Sequence, residues 1–129
     1  MESALRAAIV QELRASFDVA EDVTPADGQP AHVLLPKLLL LPPWKPSPAR
    51  ALVRFTERWP EERPEFFIDV SVTDAAGTPP RNNGGSAAAT PYVLGEMWRQ
   101  FSFNFTWPQN PKTATRAVQL WLNRFRDPA

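Results

Sequence analysis

The segment Ala51-Leu52-Val53-Arg54-Phe55-Thr56-Glu57-Arg58-Trp59-Pro60-Glu61-Glu62-Arg63-Pro64-Glu65-Phe66-Phe67-Ile68-Asp69-Val70-Ser71-Val72 carries two strand patterns separated by a connection pinned with prolines. In residues 51–56, Ala51, Val53 and Phe55 fall on one face, with Arg54 and Thr56 among the other-face residues. That two-residue period is the signature of a strand with one face on a core. Residues 66–72 alternate likewise, with Phe66, Ile68, Val70 and Val72 inward and Asp69 and Ser71 outward. Upstream, residues 33–41 are apolar and short for a helix, and they contain Pro36. A strand with an edge position or a bulge at the proline fits them better. Pro42-Pro43-Trp44-Lys45-Pro46-Ser47-Pro48 stops that strand. Three consecutive strands pack most economically as an antiparallel meander.

Helices bracket the strands. Leu5, Ile9, Leu13 and Phe17 repeat at four-residue spacing with Val10 beside them, which predicts a helix over 3–17 with Ser3 as its N-cap. Near the other end Val118, Trp121, Leu122 and Phe125 fall at helical spacing, with Asn110 as N-cap before Pro111 at the first helical position and Asp127-Pro128 as the stop. Asp27-Gly28-Gln29-Pro30 reads as a turn, and a short edge strand fits around residues 19–23. Residues 73–91 have no periodicity and many breakers, so they are expected to form a long loop, functional or mobile. Residues 92–107 are dense in aromatic side chains.

Composition narrows the class. At 129 residues the chain is expected to be one domain, 1–129, able to bury about two-thirds of its extended surface without disulfides. Hydrophobic residues at 43% and charged residues at 22% are globular values, whereas 15 prolines are too many for a helical bundle. The expectation is a mixed α+β domain. Fourteen basic residues cancel fourteen acidic ones, so the basic excess of a nucleic-acid-binding protein is missing. Residues 33–44 are too short and too interrupted by proline and Lys37 to span a bilayer. No signal peptide is evident at the start, so no membrane role and a cytoplasmic location are expected. No cofactor or metal is called for by any ligand spacing.

There is no cysteine, which excludes thiol nucleophiles, disulfides and cysteine-ligated metals. The single histidine, His32, opens an apolar strand and reads as structural. Ser86, Ser102 and Ser47 lack a nucleophile-elbow setting. Glu61-Glu62 reads as a solvated turn pair, and Asn82-Asn83-Gly84-Gly85 lacks the strand, helix and lysine of a phosphate cradle. The aromatic segment has two readings: core packing, or an exposed patch of anchors for a protein partner.

The order of elements, helix, antiparallel meander, long loop and helix, resembles the ubiquitin-conjugating (UBC-like) superfamily. Trp59-Pro60-Glu61-Glu62-Arg63-Pro64 resembles the family's Tyr-Pro-x-x-Pro-Pro connection. Gly95-Glu96-Met97-Trp98, followed by Trp107-Pro108, resembles its Gly-x-Ile-Cys segment and later Trp-Ser-Pro. Leu41 to Trp44 is similar to a Leu-Pro-Pro-Trp turn of the divergent bacterial branch. The resemblance implies a UBC-like fold: an N-terminal helix, a three- to four-stranded antiparallel meander, a flap over 73–91 and a C-terminal helix. It puts Trp98 at the position of the family's catalytic cysteine. The His-Pro-Asn motif is missing, and Arg81-Asn82-Asn83 in the corresponding loop is not equated with it. An indole cannot form a thioester, so cysteine-dependent conjugation is excluded.

The resemblance therefore implies a pseudoenzyme: a binding or scaffold protein in a bacterial ubiquitin-like pathway. Its expected partner is a ubiquitin-like protein, the activating enzyme or an operon-encoded effector. Trp98, Met97, Phe101, Trp59, Arg81 and Asn82, with the flap, are the expected binding surface. Two rivals remain. One is a UBC-like enzyme forming an ester through Ser86 or Ser102; the other is a small α+β domain with an aromatic-lined pocket for an apolar ligand.

Overall fold

The computed structural model describes residues 1–80, 89–100 and 113–126; for 89–93 and 124–126 it describes the backbone alone. In chain order these residues form α1 (Ser3–Phe17), β1 (Glu21–Asp22), β2 (Ala31–Leu38), β3 (Ala49–Phe55), β4 (Glu65–Asp69), β5 (Ala89–Val93), β6 (Glu96–Gln100) and α2 (Ala114–Arg126). All strand pairs are antiparallel, in one sheet of spatial order β1-β2-β3-β4-β6-β5. The protein is thus a small α+β domain with two helices against an antiparallel sheet.

Both helices cover the same face. Ile9, Val10 and Leu13 of α1 and Ala117, Val118 and Trp121 of α2 share one buried cluster with Val33, Leu35, Ala51, Val53, Phe55, Phe66 and Ile68 of the sheet. Trp121 stacks on Phe66 with ring centroids 5.0 Å apart. The α1 stripe differs from expectation at its start, since Leu5 stays 40% exposed. Helix α1 also begins at Ser3 itself; Glu2 holds the cap position and makes no side-chain cap bond. It ends at Asp18, whose φ of 62° and ψ of −56° turn the chain so that Val19 N–H donates to the Phe17 carbonyl at 2.6 Å. That is a γ-turn, which takes the chain straight out of the helix toward β1.

Helix α2 has a different cap from the one expected. Thr113 Oγ1 accepts the Arg116 N–H at 3.1 Å, and Glu12 of α1 accepts the Thr115 N–H. One orphan donor of the first turn is therefore satisfied locally and another by the neighbouring helix. Asn110, Pro111, Asp127 and Pro128 lie outside the described residues, as does the Phe125 side chain.

The meander forms with shifted ends. Strand β2 starts at Ala31, and its register against β3 slips between Leu35 and Leu38, a bulge at Pro36-Lys37. It stops at Leu38 rather than residue 41, because the Ser47 hydroxyl takes over both the N–H and the carbonyl of Leu40 at 2.9 Å each. Strand β4 stops at Asp69 rather than residue 72. The Asp69 carboxylate accepts the Ser71 N–H and hydroxyl, closing a turn that still delivers Val72 to the core.

The expected loop over 73–91 is not structureless at its ends. The Asp74 carboxylate accepts the N–H groups of Ala76 and Thr78, Gly77 supplies a φ of 84°, and Thr73 pairs with Lys45. Residues 89–91 belong to β5. Residues 81–88 and 101–112 lie outside the described residues. Strands β5 and β6 form a hairpin that the sequence reading missed, with Leu94-Gly95 as its two-residue turn between Val93 and Glu96. Its φ values, 56° and 75°, are those of the twisted turn that normally takes Asn-Gly. Gly95 was the available signal; leucine at the first position hid it.

Candidate protein-binding site at the β5–β6 hairpin

Hairpin pairing places β6 inside the sheet, between β4 and β5, and this decides the environment of Trp98. The residue pairs with Asp69 on one side and Thr90 on the other. Its alternation puts the indole on the face away from the helices, in a second buried cluster with Leu52 and Phe67. Trp98 is 1% exposed, and Leu52 and Phe67 are fully buried. Val23 and Leu34 pack at the edge of this cluster.

Two arginines roof these rings. The Arg50 guanidinium lies 5.0 Å from the Trp98 ring centroid, and the Arg54 guanidinium 5.1 Å from that of Phe67. Carboxylates hold each roof in place. Arg50 donates to Asp69 at 2.9 Å and to Glu96 at 3.2 Å, while Arg54 makes a two-pronged contact with its cross-strand partner Glu65 at 2.8 and 2.9 Å. The hydrogen bond to Asp69 is the main influence raising the Arg50 pKa, with burial opposing it. For Asp69, burial pushes the carboxyl upward, but the Ser71 N–H, the Ser71 hydroxyl and Arg50 together leave it below its usual value. Arg50, Arg54 and their carboxylates thus hold compensated charges over an apolar layer.

Of the residues expected to form a binding surface, Met97 is exposed, at 40%. Trp98 and Trp59 are corrected: both are buried, so neither presents a ring to a partner. Trp98 is held by its interior strand, and Trp59 packs edge-on against Phe55 at 4.9 Å between centroids. Phe101, Arg81, Asn82, Ser86 and Ser102 lie outside the described residues. His32 sits buried on β2 with Nδ1 2.7 Å from the Pro30 carbonyl; because a carbonyl only accepts, Nδ1 carries the proton. Burial is the main influence holding its pKa below the ordinary histidine value. Glu61 and Glu62 are exposed, and Glu62 reaches Arg58 at 3.7 Å on the surface.

The residue that sequence reading overlooked is Leu94. It occupies a left-handed backbone conformation at φ 56° and is 37% exposed at the hairpin tip, close in sequence to exposed Met97. A bulky non-glycine residue in that conformation is uncommon and costs strain, which asparagine or glycine largely avoids. Leu94 therefore carries a local cost without the compensation of full burial. Among the described residues no three His, Asp or Glu side chains converge as a metal site, and no helix is long and apolar enough to cross a membrane. No protein-family model, no curated protein and no solved structure matches the chain.

Proposed function

We propose that this chain is a non-catalytic UBC-like domain that binds a protein partner, acting as a scaffold in a ubiquitin-like conjugation pathway. The absence of cysteine excludes thioester chemistry. Support for the UBC-like reading comes from the order helix, antiparallel meander, helix and from Gly95-Glu96-Met97-Trp98 on β6 and its turn. At the family's cysteine position the chain carries an indole that packs rather than reacts.

The observation that carries the binding role is Leu94. A strained turn position that holds a leucine, 37% exposed, instead of asparagine breaks a local rule, and such breaks concentrate at functional sites. Met97, exposed three residues further along the hairpin, adds a second apolar side chain suited to a partner's pocket. The partner proposed is a ubiquitin-like protein, its activating enzyme or an effector encoded beside it. Titration calorimetry of wild type and Leu94→Asn against each would test this. The variant should melt higher, because the turn strain is relieved, while its affinity falls at least about tenfold, a loss of about 1.4 kcal/mol. Unchanged affinity in the stabilised variant would remove the tip from the binding site, and no binding by wild type would end the pathway reading.

A further inference from the structure

A second apolar feature lies toward the opposite edge of the sheet from the hairpin: an open groove of about 270 Å³ where α1 ends. Phe17, Leu35, Leu39 and Leu122 line it, with Asp18 and Lys37 in the same wall. It exists because β1 is short. That strand pairs only with Val33 and Leu34, so β2 continues past it with no strand alongside among the described residues. Pro36 and Lys37 mark this uncovered stretch. A proline without an N–H and a lysine are two devices that discourage addition of a further strand at an open edge. An occupant therefore enters with side chains rather than with a backbone ladder.

Leu39 is 74% exposed, the most exposed of the large apolar side chains among the described residues. Asp18 and Lys37 form no ion pair among the described residues. One surface thus presents a protruding leucine, an apolar recess and one unpaired charge of each sign. Such a surface has the parts that self-pairing needs: about a two-fold axis, the leucine of each copy meets the recess of the other and the lysine of each meets the aspartate of the other. The chain's formal net charge is zero, so no overall repulsion opposes the approach of two copies.

We propose that this groove is an isologous interface between two copies of the chain, with Leu39 of each copy entering the recess of the other and Lys37 facing the second copy's Asp18. The interface is independent of the Leu94 tip.

Sedimentation velocity over a concentration series tests it, using wild type, Leu39→Asp, Lys37→Met and Lys37→Glu. Wild type should show a reversible monomer–dimer equilibrium. Leu39→Asp should weaken it at least about thirtyfold, the effect expected of a central interface residue. Its exposure predicts an unchanged circular dichroism spectrum and melt; Leu39→Ser is the second variant if the aspartate disturbs folding. Lys37→Glu should weaken the dimer more than Lys37→Met, since it sets two carboxylates face to face. A monomeric wild type, a dimer indifferent to Leu39→Asp, or a Lys37→Met dimer as tight as wild type would each overturn the proposal. So would a monomeric wild type that takes up an apolar fluorescent dye through Leu39, which would make the groove a ligand site.

Discussion

Replacing Trp98 separates packing from partner contact, because its indole is buried with Leu52 and Phe67. Nε1 has no hydrogen-bond partner among the described residues although the atom is sealed from solvent. Trp98→Ala removes the whole ring from between Leu52, Phe67 and the Arg50 roof, and should cost about 3–5 kcal/mol. Trp98→Phe keeps a ring beneath Arg50 but loses the extra carbons of the indole, about 1.5–2 kcal/mol by methylene equivalents. It also weakens the cation–π contact by about 0.5 kcal/mol. Against this, it deletes an unsatisfied buried donor that costs about 1–3 kcal/mol in the native protein. The net expectation for Trp98→Phe lies between a loss of about 1.5 and a gain of about 1 kcal/mol. In a domain of this size that separates a melting shift of roughly 6 °C or less from one of about 12–20 °C for alanine. Equilibrium urea unfolding followed by far-UV circular dichroism reads both. If Trp98→Phe proves as damaging as alanine, the orphan-donor argument is wrong. If Trp98→Ala costs under about 1 kcal/mol while partner affinity collapses, the ring is a surface anchor and the burial argument fails. Trp98→Cys puts a thiol where the proposed UBC-like reading would align a catalytic cysteine, yet it should form no thioester with an activated ubiquitin-like protein, since position 98 is 1% exposed.

Acid should lower the protein's stability in two stages. The folded-state pKa of His32 is lowered, so the unfolded chain binds more protons and stability falls as the pH drops below about 6.5. Asp22 and Asp69 also have lowered values, so their contribution is present above about pH 4 and is lost as the pH falls further. Urea midpoints measured against pH should show both stages, and His32→Gln should abolish the upper one alone. At the helix contact, Glu12→Ala should cost about 1 kcal/mol by freeing the Thr115 N–H at the start of α2, whereas Glu12→Gln, which keeps an acceptor oxygen, should recover much of it. Chemical unfolding of the two variants checks this, and equal losses would show that charge rather than the hydrogen bond matters.

Much of the helix-facing core was legible because it rests on local period. Ile9, Val10 and Leu13, the alternation of Ala51, Val53 and Phe55, and Val118 with Trp121 all point where the spacing says they should. The other face was not legible in the same way. Phe67 lies in a strand read as one-sided, and Leu52 adjoins two arginines in the alternation; both are fully buried. Their burial accompanies guanidinium groups held by carboxylates on neighbouring strands, Arg50 by Asp69 and Glu96, and Arg54 by Glu65. No window along the chain contains that arrangement. The candidate site divides similarly: Met97 could be named from its segment, while Leu94 required a backbone angle and Trp98 required its neighbours.

The sequence by itself determined the chemistry that is unavailable, because a chain without cysteine has no thiol in any fold, and it determined which helical and strand faces seek a core. Only the tertiary structure decided that Trp98 is packing rather than surface, that Glu12 of α1 meets a first-turn donor of α2 and that β2 runs past β1 with no strand alongside among the described residues. Each of those depends on a partner brought alongside by pairing or packing rather than by adjacency, and side-chain periodicity carries information about direction, not about which distant residue arrives to meet it.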